Sequence, residues 1–410
     1  MRILIATSHR NVIGGVEKYL QAVLPFLVHR GHHIALVYEN RADAAQELID
    51  SPQFEIMAES LAEAGAERTL RFIGQWKPDV VYSHGLETVD FQSALLNAYP
   101  NVLYAHNYIG TCATGQKCHS FPSPQPCDRK LGIGCLVLHY PRRCGGLHPG
   151  TMLKMFQLAR ATNRHLPKYD AVLVASTHMY HEFQRHGVAE SKIHLVPLPN
   201  PQGRLKSYAP LRTDPRGRLL FIGRLTKLKG VDRLLRGLPL AAKNLGRKLS
   251  VTIAGTGPEQ TALQALALEL GVSAQFVGWM SSSEKPALMR DADLLAVPSL
   301  WPEPFGLVGI EAATYGLPAV AYKVGGIPDW LIAGESGELA PGDPPTIEGL
   351  ADAIVRALLD PGHYAAISRG AVEVASRFTL ERHVSRLEHI FDTISRGSRG
   401  AIFSAENTHA

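Results

Sequence analysis

The sequence predicts an α/β protein built from two doubly wound, Rossmann-like domains that face each other across a cleft. Three observations carry this expectation. The chain has 410 residues, more than the roughly 250–300 that a single core holds. Short apolar runs of strand length alternate with segments of helical period, and they do so in two successive arrays. A Pro- and Gly-bearing stretch separates the arrays.

The first array opens with Arg2–Ser8, where Ile3, Leu4 and Ile5 form the continuous apolar run of a parallel strand buried on both faces. Gly14-Gly15 follows. Val16, Tyr19, Leu20, Val23, Leu24 and Leu27 then recur at helical spacing, and Gly31 stands where that helix should stop. His33–Tyr38, Asp79–Tyr82, Asn101–Tyr104, Ala171–Ala175 and Lys192–Val196 read as further strands, with Ser176 placed to cap a helix. The second array runs through Arg218–Ile222, Leu249–Ala254, Gln275–Val277, Leu294–Val297 and Ala319–Tyr322. The expected organisation is an N-terminal domain at 1–199 with a cysteine-containing insert at 112–144, and a linker at 200–216. A C-terminal domain at 217–385 follows, then a helix end and frayed tail at 386–410. Ligands of such folds sit at the carboxyl ends of the strands, here between the domains.

Composition excludes several classes. With 45% apolar and 19% charged residues, 37 Gly and 27 Pro, the chain is neither collagen-like nor disordered. A net charge of +5 is too mild for a dedicated nucleic-acid binder. The charge is unevenly placed, however. Residues 101–199 hold eleven Lys/Arg against four Asp/Glu, and nine of the 18 histidines. That stretch could attract phosphates or an anionic membrane surface, or simply form a solvated basic face. His9, Arg10 and Asn11 interrupt the first apolar run too early for a secretory signal, and no run approaches the ~20 apolar residues of a membrane span. The expected location is the cytoplasm, with at most peripheral contact at the inner membrane face.

Two motifs carry the chemistry. Gly223-Arg224-Leu225-Thr226-Lys227-Leu228-Lys229-Gly230 lies directly after a strand. Glycine lets backbone approach a ligand, Arg224 can fork onto two phosphate oxygens, and Lys229 offers a movable point charge. On its own, the run reads more readily as two surface cations in a strand–helix loop. The second motif is Glu303-Pro304-Phe305-Gly306-Leu307-Val308-Gly309-Ile310-Glu311. Pro304 suits the first position of a helix, which would expose N–H groups at Phe305, Gly306 and Leu307 to an anion. Glu303 could merely favour the positive helix end. That cannot explain Glu311, set among apolar residues where a carboxylate needs a partner.

These two motifs together resemble the retaining glycosyltransferases of GT-B fold known as family 4. Lys323-Val324-Gly325-Gly326-Ile327-Pro328-Asp329 is similar to a loop of that family whose last position is more usually Glu. Gly14-Gly15-Val16-Glu17, Asp79–Gly85 and Tyr104–Asn107 resemble its first glycine loop and its histidine-bearing strands, so the likeness spans roughly residues 1–390. The resemblance implies that Arg224 and Lys229 hold the donor diphosphate, Glu303 contacts the donor sugar, and Glu311 accepts hydrogen bonds from the ribose. It implies further that N–H groups at Phe305–Leu307 support phosphate and sugar, and that His106 lies across the cleft near the sugar. Gly14, Gly15 and Gly223 would allow close approach, and Trp279 would contact the base. No cofactor is implied. The expected donor is a UDP- or GDP-sugar and the acceptor a carbohydrate, a glycolipid or a small molecule.

Gly255-Thr256-Gly257-Pro258-Glu259 begins like a dinucleotide fingerprint, but Gln260 stands where the third Gly is needed. Gly257 therefore reads as part of a second turn beside the nucleotide, and a NAD-dependent dehydrogenase is disfavoured. All five cysteines, Cys112, Cys118, Cys127, Cys135 and Cys144, fall within one insert after His106. Reduced structural thiols, a structural zinc or iron–sulfur site, and disulfides all remain open; the lack of a CxxC pair counts against zinc. Two other functions also remain: a nucleotide-sugar epimerase of the same fold, and a non-catalytic nucleotide-sugar-binding protein.

Overall fold

The computed structural model describes residues 1–12, 14–40, 57–200 and 215–406. Most of the expected linker, residues 201–214, lies outside the described residues. The first sheet is wholly parallel. Its strands are β1 (Arg2–His9), β2 (His33–Asn40), β3 (Met57–Ser60), β4 (Val80–Ser83) and β5 (Asn101–Ala105). After a small antiparallel pair, β6 (Cys118–His119) and β7 (Gln125–Pro126), it is completed by β8 (Ala171–Val174) and β9 (Ile193–Leu195). The spatial order is β3-β2-β1-β4-β5-β8-β9. The continuous Ile3–Ala6 run is fully buried, as a strand covered by helices on both faces requires.

The second sheet contains β10 (Arg218–Ile222), β11 (Ser250–Ala254), β12 (Ser273–Gly278), β13 (Leu294–Val297), β14 (Ala319–Tyr322) and β15 (Gly337–Ala340). Its order is β12-β11-β10-β13-β14-β15, again parallel. The order reverses at β10/β13, which puts the loops after these two strands side by side at the topological switch point. Leu300 N–H donates to the Leu228 carbonyl (2.8 Å), tying those loops together. At Gly230, where φ is +65°, any Cβ would meet the Pro298 carbonyl oxygen at 2.0 Å. Only glycine permits so close a crossing.

The chain's last helix departs from expectation. Helix Leu380–Glu406 continues past Gly397, where fraying was expected, and the final residues 407–410 lie outside the described ones. Leu380, Val384, Leu387 and Phe391 recur at helical spacing, so they bury one stripe, and that stripe lies in the core of the first sheet with Leu20, Val23 and Tyr82. The segment after 385 is thus part of the N-terminal core. The domains also touch at the cleft: Asp329 Oδ2 accepts the Thr177 N–H at 2.5 Å, at the start of helix Thr177–Arg185. Ser176 caps that helix, its Oγ accepting the Met179 N–H.

Candidate active site

The carboxyl ends of β10 and β13 deliver the central groups. Lys229 Nζ lies 2.6 Å from Glu303 Oε1 and 5.3 Å from the centroid of the Trp301 ring. Ser299 Oγ donates to the same Glu303 oxygen at 2.5 Å. Glu303 is buried and Lys229 half-buried. A buried carboxylate persists when paired and hydrogen-bonded, and here both conditions hold. An ammonium has three N–H groups; one faces Glu303, which leaves two for an incoming anion.

Glu303 is gripped from below. Gly326 N–H donates to its carbonyl at 2.7 Å, and a Cβ on Gly325, where φ is +54°, would lie 2.4 Å from that oxygen. Gly325-Gly326 is therefore a cradle that only glycine can form. Gly326 also packs against Ser176 of the opposite domain, so the loop that fixes Glu303 is the loop that meets the N-terminal half. From that half comes Tyr108, buried near the cleft. Its hydroxyl pairs with His178 Nδ1 (2.9 Å), and burial together with Glu182, Glu303 and Asp329 holds its ionisation well above the usual phenol range.

The helix carrying Glu311 begins at Leu307, not at Pro304, because Gly306 adopts φ +91° and turns the chain immediately before it. The cause is Trp330, whose Nε1–H donates to the Phe305 carbonyl at 2.6 Å and whose ring packs beneath Gly306 and Gly309. The N–H groups of Phe305, Gly306 and Leu307 have no acceptor among the described residues. A Cβ at Gly309 would sit 2.0 Å from the Trp330 ring. Gly309→Ala is expected to cost about 3 kcal/mol through overpacking, checked by urea unfolding; an unchanged midpoint would show that Trp330 yields freely.

Glu311 is buried, and Lys285 Nζ reaches its Oε2 at 3.2 Å, supplying the partner that its apolar surroundings demand. Arg224 is exposed at the mouth of the β10 loop, with no side-chain partner among the described residues. Gly223 and Gly257 shape that loop. Gly255 packs on the Gly223 carbonyl and Gly257 on the Leu225 backbone, where Cβ atoms would approach to 1.9 and 2.3 Å. Trp279 stands exposed just beyond β12. In the N-terminal domain, Gly15 opens helix Gly15–His29, and the Gly14 N–H is already engaged by Glu17 Oε2 (2.8 Å).

His106 belongs to a buried ring cluster. Its Nε2 lies 3.0 Å from His84 Nδ1. His383 Nδ1 faces the Pro197 carbonyl (2.9 Å) and must donate to it, so its Nε2 accepts from the Tyr19 hydroxyl (2.8 Å), which in turn accepts from Tyr82 (2.6 Å). Burial, and then His383, pushes His106 down to about 3, while burial pushes His383 down to about 4. The rings are neutral. Glu17, His84, His106 and Asn107 line a cavity of about 220 Å³ on the cleft side of this cluster.

The cysteine insert folds over the cleft, with the Cys118 thiol directed at the Leu300 carbonyl. All five thiols are free and line one cavity of about 170 Å³ with His119 and His139. Burial raises Cys118 to about 12 and Cys144 to about 11. Among the described residues no three His, Cys, Asp or Glu side chains stand at metal-binding spacing. Ser299, Lys285, Trp330 and His383 were not found by sequence reasoning. Only His383 carried a readable signal, its position on an amphipathic helix.

Two α/β domains with cations and carboxylates at the switch point of the second sheet define the GT-B class. The chain belongs to the group 1 glycosyltransferases: residues 13–199 match Glycosyltransferase Family 4, and residues 209–374 match Glycosyl transferases group 1. A D-inositol 3-phosphate glycosyltransferase of Corynebacterium jeikeium is 36% identical over 200 residues, 47% of this chain and 46% of that protein. A glycogen synthase of Mycobacterium tuberculosis is 36% identical over 193 residues, 46% of this chain and 45% of that protein. The matches thus span about half the length of these curated relatives. Anabaena Alr3699/HepE in complex with UDP superimposes with a TM-score of 0.69, covering 96% of this chain and all of that one at 19% identity. The sucrose-phosphate synthase of Thermosynechococcus elongatus gives 0.68 at 20% identity, over 97% of this chain and all of that one. These two likenesses establish the fold.

Proposed function

We propose that this protein moves a sugar from a nucleoside-diphosphate donor to an acceptor hydroxyl with retention of anomeric configuration. The observation that carries the reading is the Lys229–Glu303–Ser299 cluster at the switch point, with unpaired N–H groups beside it. Cleaving the bond between the anomeric carbon and the diphosphate oxygen puts negative charge on the leaving group and positive charge on the ring. Arg224, the two open N–H groups of Lys229 and the Phe305–Leu307 amides would stabilise the first. The Glu303 carboxylate, fixed by Lys229 and Ser299, would hold the sugar hydroxyls. A leaving phosphate oxygen would take the acceptor proton while the acceptor oxygen bonds to the same face of the anomeric carbon. Closure of the two halves would exclude water from the activated sugar.

The Anabaena neighbour is described with UDP and with UDP-glucose, so UDP-sugars are the first donors to test. A panel of UDP- and GDP-sugars is expected to raise the melting temperature for the true donor, followed by transfer to carbohydrate, glycolipid and small-molecule acceptors. Isomerisation of the donor without an acceptor would point to an epimerase; binding without turnover would point to a non-catalytic protein. In this reading Glu311, held by Lys285, would accept from the ribose hydroxyls. Lys285→Ala is expected to weaken nucleoside-diphosphate binding about tenfold in calorimetric titration, and unchanged affinity would detach Glu311 from the ribose. The occupancy of the thiol cavity is open to elemental analysis of anaerobically prepared protein. Zinc or iron at stoichiometric level would assign the cysteines to a metal, and absence of both would leave them as packing thiols.

A further inference from the structure

We infer that the cysteine insert and the helix after it form a docking surface for an anionic lipid bilayer, set beside the acceptor-side cavity. The inference goes beyond donor chemistry and concerns a face that chemistry does not use.

Two independent observations point to it. Among the described residues, twelve large hydrophobic side chains are exposed, and eight of them lie between residues 109 and 155. Ile133, Val137 and Tyr140 follow helical spacing along one face of helix Gly134–Arg142, with Ile133 71% and Val137 68% exposed. Leu147, 71% exposed, follows that helix, and Leu153 is exposed on helix Pro149–His165. So many exposed apolar side chains gathered in one segment are unusual on a free surface. The second observation is charge. Residues 109–165 hold eight Lys/Arg against one acidic residue, Asp128. Lys117 is buried against Glu182, and the other seven cations are exposed.

Cations and apolar groups are interleaved on this face. The Arg143 guanidinium lies 5.4 Å from the Phe121 ring centroid, and both residues are exposed. Phe121 is docked there because its N–H, like that of Ser120, donates to the Arg142 carbonyl. Apolar side chains ringed by Lys and Arg fit the boundary between anionic headgroups and acyl chains. An acidic protein partner would match the cations but leave Ile133, Val137 and Leu147 without apolar cover. Ile109, itself partly exposed, and Leu158 line the 220 Å³ cavity that contains His106. The surface therefore meets the cavity, so an acceptor anchored in the bilayer could present its hydroxyl to the cleft without leaving the lipid.

The test is co-sedimentation of the full chain with vesicles of phosphatidylcholine alone and of equal parts phosphatidylcholine and phosphatidylglycerol, at low and high salt. Binding to the anionic vesicles, weakened by salt and far lower on neutral ones, is expected. Val137→Asp/Leu147→Asp and Arg142→Glu/Arg143→Glu should each lower it about tenfold or more. These side chains are exposed, and an unchanged melting temperature would confirm that both variants fold. Equal binding to neutral vesicles, no binding, or binding unaffected in both variants would overturn the inference. So would a dimer of wild type that Val137→Asp/Leu147→Asp dissolves while vesicle binding is absent. Thermal stabilisation by nucleoside diphosphate should survive in both variants, which separates failure here from failure of the proposed transfer.

Discussion

Lys229→Ala is expected to lower sugar transfer by about a hundred- to a thousandfold, the loss typical of removing one preorganised group that meets charge developing on a leaving oxygen. The same change should also destabilise the protein. Glu303 is buried, and without Lys229 Nζ its carboxylate keeps only Ser299 Oγ and loses its counter-charge. Breaking one partner of such a pair costs about 3–5 kcal/mol when both are fully buried. The partial exposure of Lys229 brings the expectation down to about 2 kcal/mol. Glu303→Gln should be milder for stability, since a neutral amide needs no counter-charge, yet should still lose transfer. The double variant Lys229→Ala/Glu303→Gln then recovers part of the stability of Lys229→Ala without regaining activity. Parallel recovery of both would mean that the pair only holds the loop together.

The second large effect is pH-dependent stability. An unperturbed imidazole titrates near 6.5, whereas burial holds His106 near 3 and His383 near 4, with His84 also well below its ordinary value. Between those limits the unfolded chain binds protons that the folded chain refuses. Stability is therefore full above about pH 7 and falls as pH drops from about 6.5 toward 4. Each excluded proton contributes about 1.4 kcal/mol per pH unit. His383→Gln retains an acceptor for the Tyr19 hydroxyl and a donor for the Pro197 carbonyl but cannot take a proton. Its urea midpoint should fall less steeply between pH 6 and 4 than that of wild type. An identical slope would show that His383 does not report on this cluster.

The sequence made the strands and the two carboxylates legible because both carry local signals. Ile3–Ala6 is apolar without interruption, and Glu311 stands out as an acid in an apolar helix that had to find a partner. It did not reveal which partner, since Lys285 opens a different helix, Lys285–Asp291, and reaches Glu311 only through sheet topology. The helix start at Leu307 was misread because Pro304 is locally suited to a first turn, while Trp330, distant in sequence, fixes Gly306 in a left-handed conformation instead. The buried histidines followed the same pattern. His84 and His106 sit at the ends of readable strands and pack on Tyr19 of the first helix, but His383 reaches Tyr19 only because the last helix returns to the first domain.

The decisive observation is a crystal of the wild-type protein soaked with UDP. The diphosphate is expected between Arg224 and Lys229 Nζ, against the Phe305–Leu307 amides, with the ribose hydroxyls on Glu311 and the base beside Trp279. UDP seated elsewhere, or a saturated crystal in which the Lys229–Glu303 crevice stays empty, would contradict the assignment of this site.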